Sequence, residues 1–451
     1  MRPTVRTTLP NGLVVLLHER RTAPVATFWA WYRVGSRNEV PGLTGISHWV
    51  EHMLFKGTPT TGKGEFSRLV NRHGGVWNGF TWKDFTAYFE TLPSAHVGLG
   101  ARIESDRMVN SLFDPAEVES ERTVIISERE GHENNPEYSL YEEVEAAAYR
   151  VHAYRHAVIG HKSDLMAITR DDLIRHYRTY YTPNNAVIVA VGDFDSAALL
   201  GQIADAFGEI PAAPAPPVVR SVEPPQEGER RVTLRRPGGA VPIVQMAFHA
   251  PAVSHPDFFP HLLLDGVLSG FKGAGVFGGE AIGARSSRLY RALVEQQLTV
   301  DAGSAFRPAL DPTLFEVGAT LRPGIEPERV EAAILNELRR LSREPVGQEE
   351  LEKVRKQARA QWVYAADGVS QQAVLFGSME VVAPEGFLET FWDRLAAVTP
   401  EGMLHAAART FNERNRTVGW YFPDDDRIEA ASTPAPGAAA SHVAAQNTSH
   451  A

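Results

Sequence analysis

In the stretch GISHWVEHML, residues 45–54, two histidines and a glutamate fall close together: His48, Glu51 and His52. On a helix, His48 and His52 stand one turn apart on one face, and Glu51 shares that face. Two imidazoles so placed reach a single metal ion at ~2.0–2.1 Å. The carboxylate between them then stands over the open coordination position, where it takes a proton from water held there. The pattern is H-x-x-E-H, the order of H-E-x-x-H reversed. The plain alternative is an amphipathic helix that happens to carry histidines. With 16 histidines in the chain, so short a match arises by chance in roughly a few per cent of such sequences. Ile46, Val50, Met53 and Leu54 fall largely on the other faces and anchor the helix in a core. Three polar groups converging on such a helix favour the metal site, because burying them unpaired is costly.

A catalytic zinc of this kind needs a third protein ligand. Asp114-Pro115 is a favourable N-cap and first-position pair, and the helix it opens, AEVESERTVIISERE, offers several carboxylates. Glu121 and Glu128 lie almost two full turns apart on one stripe. One of them ligates and the other stands behind the ligands or near substrate; spacing does not choose. A solvated acidic face is the competing reading, and it suits Glu117, Glu119 and Glu130.

The elements around these residues are legible in outline. NGLVVLLHER and APVATFWAWYRVGS read as two strands. Thr44 is the expected N-cap of the histidine helix and Gly57 its end. GEFSRLVNRHGG is a second helix, stopped by Gly74 and Gly75. VWNGFTW and DFTAYFETL form a hairpin, with Phe85, Ala87 and Phe89 alternating against Thr86, Tyr88 and Glu90 as in a half-buried strand. YYTPNNAVIVAVGDFD is a turn and a buried strand. Residues 211–228, dense in Pro and Ala, read as a semi-rigid linker, after which RRVTLRRPGGAVPIVQMAFHAP restarts the pattern. TFNERNRTVGWYFPDD then echoes YYTPNNAVIVAVGDFD. The expectation is an α+β chain of two related halves, 1–210 and 229–430, with a tail, 431–451, that lacks apolar periodicity.

Composition narrows the chemistry. The chain has 451 residues, 43% hydrophobic and 22% charged, and a net charge of -10, so no basic face is expected to bind nucleic acid or an anionic membrane. There is no cysteine, which excludes disulfides, iron–sulfur clusters, thiol catalysis and Cys-ligated zinc, and leaves any metal to His, Asp and Glu. No run approaches 18 apolar residues, so no membrane insertion is expected. The N-terminus lacks an apolar signal core; the expectation is a cytoplasmic protein, or a periplasmic one if a signal peptide has been removed.

These motifs together resemble the pitrilysin/insulinase (M16) family of zinc metallopeptidases, particularly its mitochondrial-processing-peptidase-like branch. GISHWVEHMLFKGT is similar to the family's zinc helix and ERTVIISERE to its third-ligand segment. GGVWNGFTWKDFTAYFETLP resembles the strand pair that follows, and YYTPNNAVIVAVGDFD the end of the first domain. The likeness runs over residues 5–200 and, more weakly, over 230–422. It implies Zn2+ held by His48, His52 and Glu128, with Glu51 as general base and Glu121 as an accessory catalytic glutamate. It places Asn78 on an edge strand that holds an extended peptide by main-chain pairing. It also implies two homologous α/β-sandwich domains forming half of a clam-shell peptidase chamber, closed by a second such chain.

One departure stands out. Active relatives carry an Arg and a Tyr in a segment resembling SSRLYRALVEQQLTVDAGS, where they bind substrate and stabilise the developing oxyanion. Here those places hold Val294 and either Val300 or Asp301, while Arg288, Tyr290 and Arg291 fit the preceding helix. The expectation is the zinc-bearing subunit of a heterodimer, or of a higher assembly of related chains, whose partner supplies the pair. The glycine-rich segment 269–287 does not follow a strand as a phosphate loop requires; a mobile lid and an inert loop both fit it. Two rival readings are a non-catalytic scaffold subunit of the same fold and a purely structural zinc site. The first predicts loss of the metal residues. The second ordinarily has four protein ligands, often including Cys.

Overall fold

The computed structural model describes residues 4–236, 239, 241–273, 275, 281–365 and 367–424. The tail 431–451 and positions 274 and 276–280 of the glycine-rich segment lie outside the described residues.

The strands form two sheets. The first is built from β1 (Val5–Thr8), β2 (Val14–Glu19), β3 (Val25–Tyr32), β4 (Val76–Thr81), β5 (Thr86–Pro93) and β6 (Ala186–Gly192), in the order β1-β2-β6-β3-β5-β4. The second contains β7 (Arg230–Arg236), β8 (Ile243–Ala250), β9 (Thr299–Phe306), β10 (Thr313–Leu321) and β11 (Arg416–Pro423), in the order β7-β11-β8-β10-β9. Apart from the extra β1, the two orders superimpose strand for strand. The directions match as well: β2 runs parallel to β6 and β7 parallel to β11, and the remaining equivalent pairs are antiparallel. The echo between YYTPNNAVIVAVGDFD and TFNERNRTVGWYFPDD is therefore the echo of two equivalent strands, β6 and β11. Between Phe207 and Arg230 the chain forms no helix or strand.

The helices of the first half are α1 (Ile46–Met53), α2 (Glu65–Arg72), α3 (Gly98–Asn110), α4 (Pro115–Glu133), α5 (Pro136–Ala148), α6 (Lys162–Ala167), α7 (Arg170–Tyr180) and α8 (Ser196–Phe207). Those of the second are α9 (Phe258–Ser269), α10 (Pro327–Leu341), α11 (Gln348–Ala365), α12 (Val369–Val382), α13 (Phe387–Ala396) and α14 (Pro400–Thr410). Helices α1, α2, α3, α8, α9 and α14 pack on the sheet of their own half, but one helix from each half crosses over. Helix α5 lies on β7, β11 and β8, and α12 lies on β3 and β6. Hence Trp29, Trp31, Val187 and Val189 of the first sheet share one core with Ala373 and Met379 of α12. No helix of the described residues is long and apolar enough to cross a membrane.

Helix α1 is held by its apolar stripe: Ile46, Trp49, Val50 and Met53, spaced as one face of a helix, are all buried. Its start differs from the expected cap. Thr44 does not cap it, because its hydroxyl donates to Asp164 at 2.7 Å and accepts from the His161 amide at 2.9 Å. The free amides of Gly45 and Ser47 are instead met by the Glu39 carboxylate at 2.8 and 2.9 Å. The cap residue is Gly45, at φ 88°, where a side chain would strike the Ile159 carbonyl. The helix also stops short of Gly57, at Met53. The cap of α4 is as expected: Asp114 accepts from the amides of Ala116 and Glu117. Strand β5 is not half-buried. Thr86, Tyr88 and Glu90 are buried with Ala87, since helices cover both faces of the sheet, and Phe89 is only partly covered.

Candidate metal centre

Helix α4 packs across α1 and brings a carboxylate to the two histidines. Nε2 of His48 and Nε2 of His52 are 3.2 Å apart, and Oε2 of Glu128 lies 3.9 Å from the first and 3.7 Å from the second. Among the described residues these three are the one group of His and acidic side chains whose donor atoms converge in this way. Three donors around a tetrahedral ion at ~2.0–2.2 Å are spaced by about 3.4 Å, so the set fits Zn2+. Nitrogen and carboxylate donors in a chain without cysteine suit the same ion.

Glu121 stands elsewhere on the site. Nδ1–H of His52 donates to its Oε1 at 2.8 Å, and Lys56 pairs with its other oxygen. Burial opposes ionisation of Glu121, but the hydrogen bonds from His52 and Lys56 outweigh it and hold the carboxyl below its ordinary range. An ionised Glu121 fixes the proton of His52 on Nδ1 and turns the Nε2 lone pair towards His48 and Glu128. The way α4 crosses α1 thus sets Glu128 against the two Nε2 atoms and Glu121 against Nδ1 of His52.

Glu51 is 6% exposed, and Oγ1 of Thr81 donates to its Oε2 at 2.8 Å. Burial pushes its carboxyl up to about 7, with His52 and the Thr81 hydrogen bond restraining the rise. Burial, reinforced by the adjacent His52, brings His48 down to about 3, so that its ring is neutral at ordinary pH and one ring nitrogen is free to ligate.

His48, Glu51, His52, Thr81 and Glu128 line a cavity of about 490 Å³. Asn78 is on its wall, exposed on β4, the outermost strand of the first sheet. The wall also holds His132, Lys83, Tyr138, Tyr141 and Glu145, which the motif reading did not single out. His132 follows Glu128 by one helical turn, a spacing visible in the sequence. Lys83, Tyr141 and Glu145 form one network, with Glu145 accepting from both partners; nothing local announces it, because β4–β5 and α5 meet only in the fold.

In the second half, α9 takes the place of α1, between β8 and β9, and every one of its residues is buried. Val294 ends a π-helical turn, Tyr290–Val294. Val300 is an exposed bulge on the edge strand β9, where the pairing slips between Thr299 and Asp301. Asp301 borders a second cavity, between α5 and the second sheet. Arg288 is engaged by Glu350 at 2.7 Å.

Comparison with known proteins agrees with this architecture. Residues 14–162 match the family model described as insulinase (peptidase family M16), and residues 167–358 match the peptidase M16 inactive domain. The chain is 30% identical over 374 residues to the zinc protease PqqE of Helicobacter pylori, covering 82% of this chain and 81% of that one. It is 31% identical over 205 residues to the mitochondrial-processing peptidase subunit beta of Blastocladiella emersonii, covering 46% of this chain and 44% of that one. The crystal structure of a protease from Helicobacter pylori superimposes with a TM-score of 0.87 at 27% identity, over 93% of this chain and 99% of the other. With two sheets of one topology and both halves matched by the family's models, the chain belongs to the insulinase (M16) family of zinc peptidases.

Proposed function

We propose that this chain is a zinc-dependent endopeptidase subunit that hydrolyses extended peptides or small unfolded polypeptides within an enclosed chamber. The observation that carries the reading is the convergence of His48, His52 and Glu128 on one point of a cavity wall, with the buried Glu51 beside them. A Zn2+ bound there would supply Lewis-acid polarisation of a carbonyl and lower the pKa of water.

The chain's own residues have separate tasks. Glu51, held by Thr81, accepts a proton from the attacking water and returns it to the leaving amine. A carboxyl near neutrality is matched to both directions of transfer, and a cation beside it draws the value lower. Glu121 orients His52. The outer edge of β4, with Asn78, offers main-chain pairing to an extended peptide.

Val294, Val300 and Asp301 leave the chain without the Arg and Tyr of active relatives, so a homologous subunit is proposed to supply them across the chamber, as in a heterodimer. The test is turnover of an extended quenched peptide by the chain alone and by the chain with the subunit that co-purifies from its native host, with metal content measured in both. Activity in the pair alone supports the reading. Full turnover by a verified monomer or homodimer removes the partner from it, and bound zinc with no turnover in either sample favours a scaffold subunit.

A further inference from the structure

A third cavity, of about 450 Å³, lies between the first sheet and the C-terminal helices. Trp29, Val76 and Phe89 form its sheet side, and Trp362, Leu375 and Phe391 face them. Its size is that of pockets that take organic groups, about 300–1,000 Å³. Its walls are aromatic: Trp29 stacks on Phe89 with centroids 4.2 Å apart, and Trp362 on Phe391 at 5.4 Å. Lys272 reaches the wall too, but Asp265 binds it at 3.1 Å through each oxygen, so it makes no demand for an anionic ligand. At the rim stands Val76, a large apolar side chain 62% exposed on an edge strand, a feature that proteins ordinarily avoid.

Strand β4 joins this cavity to the metal centre. Val76 lines the apolar one, and Asn78, Gly79, Phe80 and Thr81 line the other. Its side chains alternate: Trp77 meets Phe55 and Phe66 on the α1 side, and Thr81 meets Glu51 there. Val76, Asn78 and Phe80 therefore point to the opposite face, where Phe80 packs on Trp29 with centroids 5.9 Å apart.

Resting on the peptidase reading above, we infer that the apolar cavity is a specificity subsite for one large hydrophobic side chain of a peptide laid along the outer edge of β4. A peptide added as a strand repeats the alternation of β4, so every second side chain falls on the face of Val76. The offset of Val76 from the residues lining the metal cavity puts the anchored side chain about two to five residues from the scissile bond. Main-chain pairing supplies affinity with little regard to sequence, and the cavity supplies the selection.

The test is a hydrophobe scan. A single Phe is moved stepwise along a labelled peptide of small polar residues. Binding to the full chain carrying Glu51→Gln is read by fluorescence anisotropy, and cleavage is read with the unsubstituted chain, alone and with its co-purifying subunit. Binding about tenfold tighter at one register is expected, from burial of the ring. That preference is expected to vanish in Val374→Phe and in Gln371→Trp, which fill the cavity from α12, while peptides lacking Phe bind every chain alike. Gln371 is exposed, so its replacement spares the core. A flat scan, a preference unchanged in both variants, or no binding at all overturns the subsite. Register-dependent binding with no cleavage in any sample supports the subsite and overturns the peptidase reading; cleavage with a flat scan does the reverse.

Discussion

Nδ1 of His52 donates to Glu121 at 2.8 Å, while Nε2 of the same ring faces His48 at 3.2 Å and Glu128 at 3.7 Å. One imidazole thus divides its two nitrogens between an orienting carboxylate and the converging donor set. Glu121→Gln keeps the volume but removes the charge that fixes the tautomer. It is expected to weaken zinc affinity about 10–100-fold, read by competition with a chelator, and to lower the thermal stability of the metal-free protein as well, because it also breaks the buried pair with Lys56.

Glu51 is not one of the converging donors. Glu51→Gln is expected to leave zinc content unchanged and to lower kcat by about 10²–10⁴-fold. Zinc analysis on the sample used for kinetics checks both halves. Loss of metal would move Glu51 from proton transfer to ligation.

Asp311, just before β10, is held by two residues of the first half: Nε of Arg37 at 2.5 Å and Nε2 of His152 at 3.0 Å. Burial opposes its ionisation, but His152 and Arg37 prevail and bring the carboxyl down to about 2, against an ordinary 3.8. A folded value below the unfolded one stabilises the fold fully above the unfolded pKa and is lost as pH falls through the folded one. The contribution is about 2 kcal/mol, complete above about pH 4 and lost towards pH 2. Asp311→Asn is expected to lower the urea midpoint at neutral pH and to flatten its decline over that acid window.

The crossed helices approach their sheets at glycines. A Cβ on Gly377 of α12 would lie 2.1 Å from Nε1 of Trp31 in β3, and one on Gly419 of β11 would lie 2.3 Å from Cγ2 of Val144 in α5. Gly377→Ala and Gly419→Ala are each expected to cost about 1–3 kcal/mol by overpacking, measured as a lowered denaturant midpoint. Neutral substitutions would show that the halves dock more loosely.

Much of the fold could be read locally. The strands β2, β3, β6, β8 and β11 announce themselves by short apolar runs between turn residues, and Asp114-Pro115 marks the start of α4 as it stands in the structure. The short β1 carries only one apolar side chain, Val5, too little for a periodic signal; only pairing with β2 makes these four residues a strand. Thr44 misled for a related reason. Its type suits a cap, but Asp164, far along the chain, draws its hydroxyl away and Glu39 takes its role.

At the candidate metal centre, residue types and a one-turn spacing were enough to single out His48, Glu51 and His52 as neighbours, because helical periodicity alone sets which side chains share a face. The absence of cysteine restricted the remaining donor to His, Asp or Glu. What local periodicity could not decide was which glutamate of α4 meets those histidines, since Glu121 and Glu128 lie on one stripe. The crossing of α4 over α1 decided it, placing Glu128 at Nε2 and Glu121 at Nδ1. The exchange of α5 and α12 between the sheets is likewise a tertiary fact. Each helix offers apolar surface, spread nearly all round α12, and that surface is satisfied by whichever sheet the packed chain presents to it.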